Sequence, residues 1–457
     1  MKKAINRTHI EQLKPMREPL SLQDAIKESN RCLLCYDAPC SEACPAGTDP
    51  AKFIRQLKFY NFKGAARTIR KNNILGSICA FICPVEKLCE QKCSVVALED
   101  PINIIGLQRF AVEYGKDFGL EPFQKKLKNK GKVAVIGAGP AGMSCAAELA
   151  KKNYDVTIFE KESSCGGVPE LMIPDFRLPR EAIDYDIKNL LDLGVEIKYN
   201  SKAGSHGEVK NFLSDGYKAV FIGTGLSEPY KLPLFNRYSN ATDYISFLKS
   251  IKKNREKVNL KGKNVAIIGG GSVAIDSAVS AAVLGAKKVY LIALEHLDEL
   301  PADKEEINLA HTLNIIFKAG SQVTEVIAKE NQITGLKGKE IDWIEPNKFI
   351  PANAKQIDGT DFSLNVDFVI QAIGTKPGEE VKKFAHGLKT NEKGIIAVND
   401  NYETNIPGVF AGGDVVNGGA TVVQAVGDGK KAAESIDRDA RTCVFTRIKM
   451  LINKRRK

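Results

Sequence analysis

One pattern is written twice in this chain, and it fixes most of what the chain can become. GKVAVIGAGPAGMSCAA starts at Gly131, and GKNVAIIGGGSVAIDSA starts at Gly262. Each copy is an apolar run of strand length, then a glycine turn, then a run of small residues at helix spacing. An internal repeat of this kind means two copies of one supersecondary unit. In the first copy Gly137, Gly139 and Gly142 give G-x-G-x-x-G, followed by a second apolar run, 156–159, that ends on Glu160. Strand, glycines, helix, strand and acid in that order are the dinucleotide-binding β-α-β unit. The glycines allow a tight turn and close approach of backbone to pyrophosphate, and the helix N-terminus attracts its charge. A lone glycine fingerprint is weak, but its full context and its repetition are not.

A third glycine turn closes the pattern. The run 408–411 leads into Gly412-Gly413-Asp414, with a helix expected from Thr421. Such a helix N-terminus suits a flavin pyrophosphate. The simplest topology makes the first dinucleotide domain discontinuous, 121–245 plus 376–440, with the second, 246–375, inserted in it. The expected fold class is α/β: an N-terminal all-α domain, 1–120, followed by two Rossmann-like domains. In that first domain little alternates with period two. Ser21 to Asp24 resembles a capping box and opens a helix, Thr48-Asp49-Pro50 starts another, and 61–70 and 102–114 give two more.

Eleven cysteines are present and eight fall between Cys32 and Cys93. The chain shows no apolar run of signal-peptide or membrane-spanning length, so a cytoplasmic location is expected, where disulfides are rare. Metal is the remaining use for such crowding. Cys32, Cys35, Cys40 and Cys44 read C-x2-C-x4-C-x3-C with Pro45 next, and Cys79, Cys83, Cys89 and Cys93 read C-x3-C-x5-C-x3-C with Pro84 after Cys83. Zinc is the plain alternative, yet only one C-x2-C pair exists and the region has no histidine. Cys-Pro endings belong to two-cluster ferredoxins, where the last cysteine of a run serves the other cluster. Cys145, Cys165 and Cys443 stand alone. Cys165 sits where disulfide reductases carry a redox pair, but no second cysteine follows it at that spacing. The net charge is +11, of which seven lie in 441–457. That basic tail reads as a solvated, frayed end, the alternative being an anionic or nucleic-acid partner, against which two complete dinucleotide motifs weigh.

With these features in order, the chain resembles the small subunit of glutamate synthase and its relatives, among them the N-terminal half of eukaryotic dihydropyrimidine dehydrogenase and the NAD/FAD subunit of the bacterial two-subunit form. The stretch PINIIGLQRF, 101–110, with Gln108, and IPDFRLP, 173–179, are similar to the pyrimidine branch. The resemblance implies two [4Fe–4S] clusters. Cys32, Cys35, Cys40 and Cys93 would hold one, Cys44, Cys83, Cys89 and Gln108 the other, and Cys79 would be a structural thiol. For FAD it implies Gly137, Ala138, Gly139, Pro140, Ala141, Gly142, Glu160, Val168, Arg177, Gly413, Asp414, Thr421 and Val422. For NAD(H) it implies Gly269, Gly270, Gly271, Ser272, Val273, Ala372, Ile373 and Gly374. Glu295, after the second strand of the inserted domain, stands where NADPH-using relatives place a cation. An acid there accepts from a ribose 2′-hydroxyl and repels a phosphate; the plain alternative is a solvated loop charge.

No acid–base pair or nucleophile for a small substrate stands out. The expected activity is hydride transfer from NADH to the flavin, which passes electrons singly through the clusters to a partner, an FMN-containing, pyrimidine-reducing iron–sulfur subunit. The alternatives are the small subunit of glutamate synthase or of another ferredoxin-type oxidoreductase, and, in another class, a non-catalytic iron–sulfur scaffold.

Overall fold

The computed structural model describes residues 16–455 apart from 121, 122, 126, 203, 205, 206 and 347. Six helices come first: α1 (Leu22–Arg31), α2 (Pro39–Glu42), α3 (Pro50–Lys58), α4 (Phe62–Asn72), α5 (Gly76–Ile82) and α6 (Ile104–Asp117). Local chemistry sets their starts. The side chains of Ser21, Asp49, Asn61 and Asn103 each accept a first-turn backbone N–H, those of Asp24, Lys52, Gly64 and Gly106, satisfying donors that have no partner within the helix. Phe53, Ile54, Leu57, Ile69, Ile74, Leu75 and Leu107 are buried where these helices meet.

The next stretch gives β1 (Lys132–Ile136), α7 (Pro140–Lys151), β2 (Asp155–Phe159), α8 (Val168–Leu171), α9 (Arg180–Asp192), β3 (Glu196–Lys198), α10 (Val209–Ser214), β4 (Ala219–Ile222) and the two-residue β5 (Glu228–Pro229). Then come β6 (Ala241–Asp243), α11 (Tyr244–Asn254), β7 (Asn264–Ile268), α12 (Ser272–Val283), β8 (Lys288–Ile292), α13 (Lys304–Thr312), β9 (Ile316–Lys318), β10 (Ser321–Lys329), β11 (Gln332–Trp343), β12 (Ala354–Gln356), β13 (Phe362–Asn365), β14 (Phe368–Gln371) and β15 (Thr375–Lys376). The chain ends with α14 (Glu379–Phe384), β16 (Val409–Ala411), α15 (Asp414–Asn417) and the long α16 (Val422–Arg455).

Two parallel five-stranded sheets result, β16-β4-β1-β2-β3 and β6-β14-β7-β8-β9. Each is doubly wound around its glycine turn, as the repeat requires. In each, the strand before the turn is central and nearly wholly buried, which is why it reads as an unbroken apolar run. Phe159, Phe212, Phe384, Val220 and Val409 form the core on one side of the first sheet. Ala266, Ile268, Tyr290, Leu336 and Val369 do so for the second. An antiparallel sheet of β10, β11, β12 and β13 accompanies the second sheet, and the sequence reading did not place it.

The chain divides into two compact units. One contains Leu171–Arg177 and Pro229–Thr375; the other contains Arg17–Glu170, Leu178–Glu228 and Lys376–Lys457. The helical domain thus shares a unit with the first sheet. The expected change of domain after 245 comes earlier: β6 pairs in parallel with β14, Ala241 beside Val369, so the residues from Pro229 on belong with the second sheet. The expected frayed tail is also corrected, because α16 continues to Arg455; no Pro or Gly interrupts the sequence after Gly429. Among the described residues no helix is long and apolar enough to cross a membrane.

Candidate functional site

The β1–α7 turn is built by exclusion. A Cβ on Gly142 would lie 1.9 Å from the Gly137 carbonyl oxygen, and one on Gly137, whose φ is +100°, would lie 2.6 Å from the Gly223 oxygen. Only glycine lets helix, turn and strand meet this closely. Ala138, Gly139, Pro140 and Ala141 complete the turn, with Pro140 opening α7. Glu160, at the end of β2, is 7% exposed. Its carboxylate accepts from the backbone N–H of Ala138 (2.6 Å) and of Glu162 (2.9 Å). Burial pushes its pKa up and those two N–H groups pull it back.

Two further segments press on this turn. Gly166 donates its N–H to the Ala138 oxygen (2.9 Å), bringing Val168 and α8 to it, while Gly413 has its α-carbon against Ala141: a Cβ there would lie 2.8 Å from the Ala141 side chain. Asp414 opens α15 and accepts from Ala420 N–H (3.1 Å); Thr421 accepts from Gln424 N–H (3.2 Å) and precedes Val422, the first residue of α16. Cys165 is buried, and burial pushes its thiol up to about 12, the opposite of a reactive thiol.

Sequence reasoning missed two residues here. Asp428, in the second turn of α16, is 3% exposed and accepts from Gly413 N–H (3.1 Å), Asn417 (3.2 Å), Gln424 (2.9 Å) and the Tyr402 hydroxyl (2.9 Å). It holds the Gly412-Gly413-Asp414 turn in shape, and nothing in its sequence context marks it. Thr224, beside Gly223, has a buried hydroxyl with no hydrogen-bond partner among the described residues. It lines a pocket with Gly137, Glu160, Lys161, Ser201 and Ser227. A buried, unmatched hydroxyl beside the glycine turn and its acid fits the ribose of a dinucleotide, which would satisfy it.

The β7–α12 turn repeats the logic. Gly269 has φ +130°, and a Cβ on it would lie 2.2 Å from the Ala372 oxygen, so the turn and the strand end carrying Ala372, Ile373 and Gly374 are in contact. Gly270, Gly271, Ser272 and Val273 continue into α12. Glu295 is brought to the same turn: a Cβ on Gly270 would lie 3.2 Å from its Oε2. The Arg177 guanidinium pairs with Asp276 of α12 (2.6 Å) and Glu306 of α13 (2.5 Å), all three nearly fully buried. The guanidinium is thus held by two carboxylates within the unit of the second sheet.

The cysteines gather in two adjoining groups, with Cys89 of the second also acted on by Cys40 of the first. Cys32, Cys35, Cys40 and Cys93 lie close enough for their charges to act on one another. Burial pushes Cys40 up to about 11, with Cys32 and Cys93 adding to it, and Cys93 and Cys35 act likewise on Cys32. Cys35 Sγ lies 3.3 Å from Ser94 Oγ, next to Cys93. In the second group, Cys83 is raised by burial and then by Cys79, Cys89 and Cys44. Cys32, Cys40, Cys83 and Cys89 are pushed toward the neutral form by burial, and thiols gathered in that state need a cation to ionise. Among the described residues no three Cys, His, Asp or Glu side chains converge on a single ion; a cluster, whose ligands bond different irons, takes a wider set. Gln108, on α6 and 8% exposed, donates its amide to the Gly76 oxygen (2.9 Å) at the start of α5, the helix that ends at Cys83. Leu33, Tyr36, Val96 and Leu98, beside the first group in sequence, are exposed.

Comparison with known proteins agrees with this layout. The family model "pyridine nucleotide-disulphide oxidoreductase" matches residues 131–429, and "dihydropyrimidine dehydrogenase domain II, 4Fe-4S cluster" matches 9–119. The NAD-dependent dihydropyrimidine dehydrogenase subunit PreT of Escherichia coli (strain K12) is 40% identical over 90% of this chain and 93% of its own length. The NADP(+)-dependent formate dehydrogenase subunit beta of Moorella thermoacetica is 33% identical over 88% of this chain and 59% of its own. Among solved structures, T. acidophilum thioredoxin reductase is similar with a TM-score of 0.51 and 25% identity, over 68% of this chain and 99% of its own. Mycobacterium tuberculosis FprA has a TM-score of 0.58 at 14% identity, over 69% and 86%, a likeness of fold. FAD, a nicotinamide dinucleotide and [4Fe–4S] are therefore the cofactors of this oxidoreductase. The chain belongs to the pyridine nucleotide-disulphide oxidoreductases and, among them, to the family of NAD-dependent dihydropyrimidine dehydrogenase subunits.

Proposed function

We propose that this chain is the electron-input subunit of a two-component NAD-dependent dihydropyrimidine dehydrogenase. It oxidises NADH at FAD and passes electrons through two [4Fe–4S] clusters to an FMN-containing subunit that reduces uracil or thymine. The observation that carries this is the grouping of the cysteines, with Gln108 beside the helix of the second group, in the same compact unit as the β1–α7 turn. The ligand sets are Cys32, Cys35, Cys40 and Cys93, and Cys44, Cys83, Cys89 and Gln108. The cofactors supply the redox chemistry. This chain's residues supply two dinucleotide turns, a ribose-facing acid in each, and the cysteine cages. The exposed apolar residues near Cys32 and Cys93 support electron delivery to a partner, and the E. coli relative is itself named a subunit.

The purified chain should carry about eight iron, two cubanes' worth, reduce a dye with NADH, and leave uracil untouched until the partner subunit is added. Uracil turnover by this polypeptide alone would refute the division of labour. An amidotransferase-type partner would instead point to glutamate synthase.

Cofactor choice follows from Glu295. NADH should be preferred over NADPH, because a carboxylate beside Gly270 meets the adenosine ribose. In Glu295→Arg the ratio of kcat/KM values should move toward NADPH by about 1.5–3 kcal/mol, the worth of hydrogen bonds to a charged group. Equal use of both cofactors by the wild type would remove the role given to Glu295.

A further inference from the structure

Helix α16 touches both halves of the electron path in its own unit. At Gly429 it lies on α7, where a Cβ would be 2.2 Å from the Ala141 oxygen; at Gly427 it lies on the cysteine loop, where a Cβ would be 2.5 Å from the Pro45 oxygen. Neither approach tolerates a side chain. The next residue, Lys430, reaches into that loop. Its ammonium donates to the carbonyls of Ala46 (2.6 Å) and Asn72 (2.6 Å), and a Cβ on Gly47 would be 3.7 Å from its Nζ. Among the described residues no carboxylate forms an ion pair with it, and its direct contacts are these two carbonyls.

The charge sits on the loop that carries Cys44, since the Ala46 carbonyl that it holds is two residues further along that loop. Burial lowers the Lys430 ammonium pKa, Glu148, Cys44 and Glu434 raise it, and Lys151 acts against them. Lys151 and Glu148 are paired with each other (2.8 Å). Cys44 Sγ also accepts from the Thr48 N–H (3.4 Å), so the loop 44–48 presents that sulfur with one backbone donor and one nearby cation.

The geometry points to Lys430 as a positioning residue for the cluster that Cys44 serves: held on the loop by two carbonyls, it fixes a positive charge beside this thiolate and raises the reduction potential of that centre. The inference rests on the assignment of Cys44 to a cluster. Reduction adds negative charge to a cluster, so a fixed cation nearby favours the reduced state, and partial burial keeps solvent from screening it. The residue sits on the helix that begins at the flavin turn. The same element that shapes the FAD site therefore tunes the centre next to it.

The test is a redox titration followed by EPR on the full-length flavin- and iron-loaded protein, for wild type, Lys430→Gln, Lys430→Arg and Cys44→Ser. Glutamine keeps donors for the two carbonyls and removes the charge. One of the two cluster signals should fall in potential by the equivalent of a tenfold change in its one-electron equilibrium constant, 59 mV, while the other stays fixed. Arginine should restore most of the difference. Retention of iron by the arginine variant with loss by the glutamine variant would support the same role for the charge. Unchanged potentials in Lys430→Gln at full iron content, or loss of iron from both variants, would overturn it. Cys44→Ser separates the two levels of the argument. If it leaves iron and both signals as in wild type, the cluster assignment has failed; if it alters the signal that Lys430→Gln leaves alone, only the inference about Lys430 has.

Discussion

Asp186→Ala should lower the unfolding free energy by about 3–5 kcal/mol, the cost of stranding one member of a buried ion pair. Asp186 on α9 and Arg70 on α4 are 0% and 1% exposed. The carboxylate accepts from the Arg70 guanidinium and from the backbone N–H groups of Ser77 (3.3 Å) and Ile78 (2.9 Å) in the first turn of α5. Burial pushes its pKa up, and Arg70 and the two amides pull it down. Alanine leaves the guanidinium and two amides in the interior without an acceptor. Only the Tyr185 ring, 4.2 Å from the guanidinium carbon, and Ser77 would remain against the charge. Asp186→Asn keeps an acceptor for the amides and should fall between. Helix α5 carries Cys79 and delivers Cys83 at its end, so the alanine variant should also retain less iron. The measurement is the shift of the urea midpoint at constant slope. A loss under about 0.5 kcal/mol, the range of an ordinary surface change, would show that the pair contributes little.

How far the sequence carried can be seen residue by residue. The glycine turns were legible because steric exclusion leaves one residue type possible at Gly142 and Gly269. The starts of α1, α3 and α4 were legible because Ser21, Asp49 and Asn61 cap them through bonds three residues away. Those are local rules. The pairing of Arg177 was not legible because its partners, Asp276 and Glu306, lie 99 or more residues further on. The sheet of β10 to β13 was missed although Val323, Val326, Ile333 and Leu336 bury a common face. Register shifts after Val323 and Ile327 break the strict alternation that would reveal it. Asp428 was missed because an acid inside a helix looks solvated until four donors are seen to converge on it. The boundary at 245 was placed at the start of a helix, whereas pairing of β6 with β14 decides it, and pairing is not local.

The largest expected effect on the clusters belongs to Gln108, the proposed non-cysteine ligand. Gln108→Leu should lose or degrade one cluster while FAD and NADH binding persist, since those sites are built by the β1–α7 and β7–α12 turns. The Gln108 amide nitrogen is engaged by the Gly76 oxygen (2.9 Å), so the amide oxygen is the atom that would ligate. Helix α6 is fixed against the cysteine loops, because Ile105 N–H donates to Glu90 (3.1 Å), the neighbour of Cys89. Leucine fills similar volume and offers iron nothing. Gln108→Cys should keep both clusters, because thiolate is the preferred ligand of Fe–S irons. It adds a negative charge to one of them and should lower that centre's potential. Loss of the Gly76 contact is common to both substitutions, so a purely structural role would make them behave alike. Iron content and EPR of the reduced protein distinguish the cases. Full iron and unchanged spectra in Gln108→Leu would mean that the amide is no ligand, and the residue that most favours the pyrimidine branch over the glutamate synthase branch would lose its meaning.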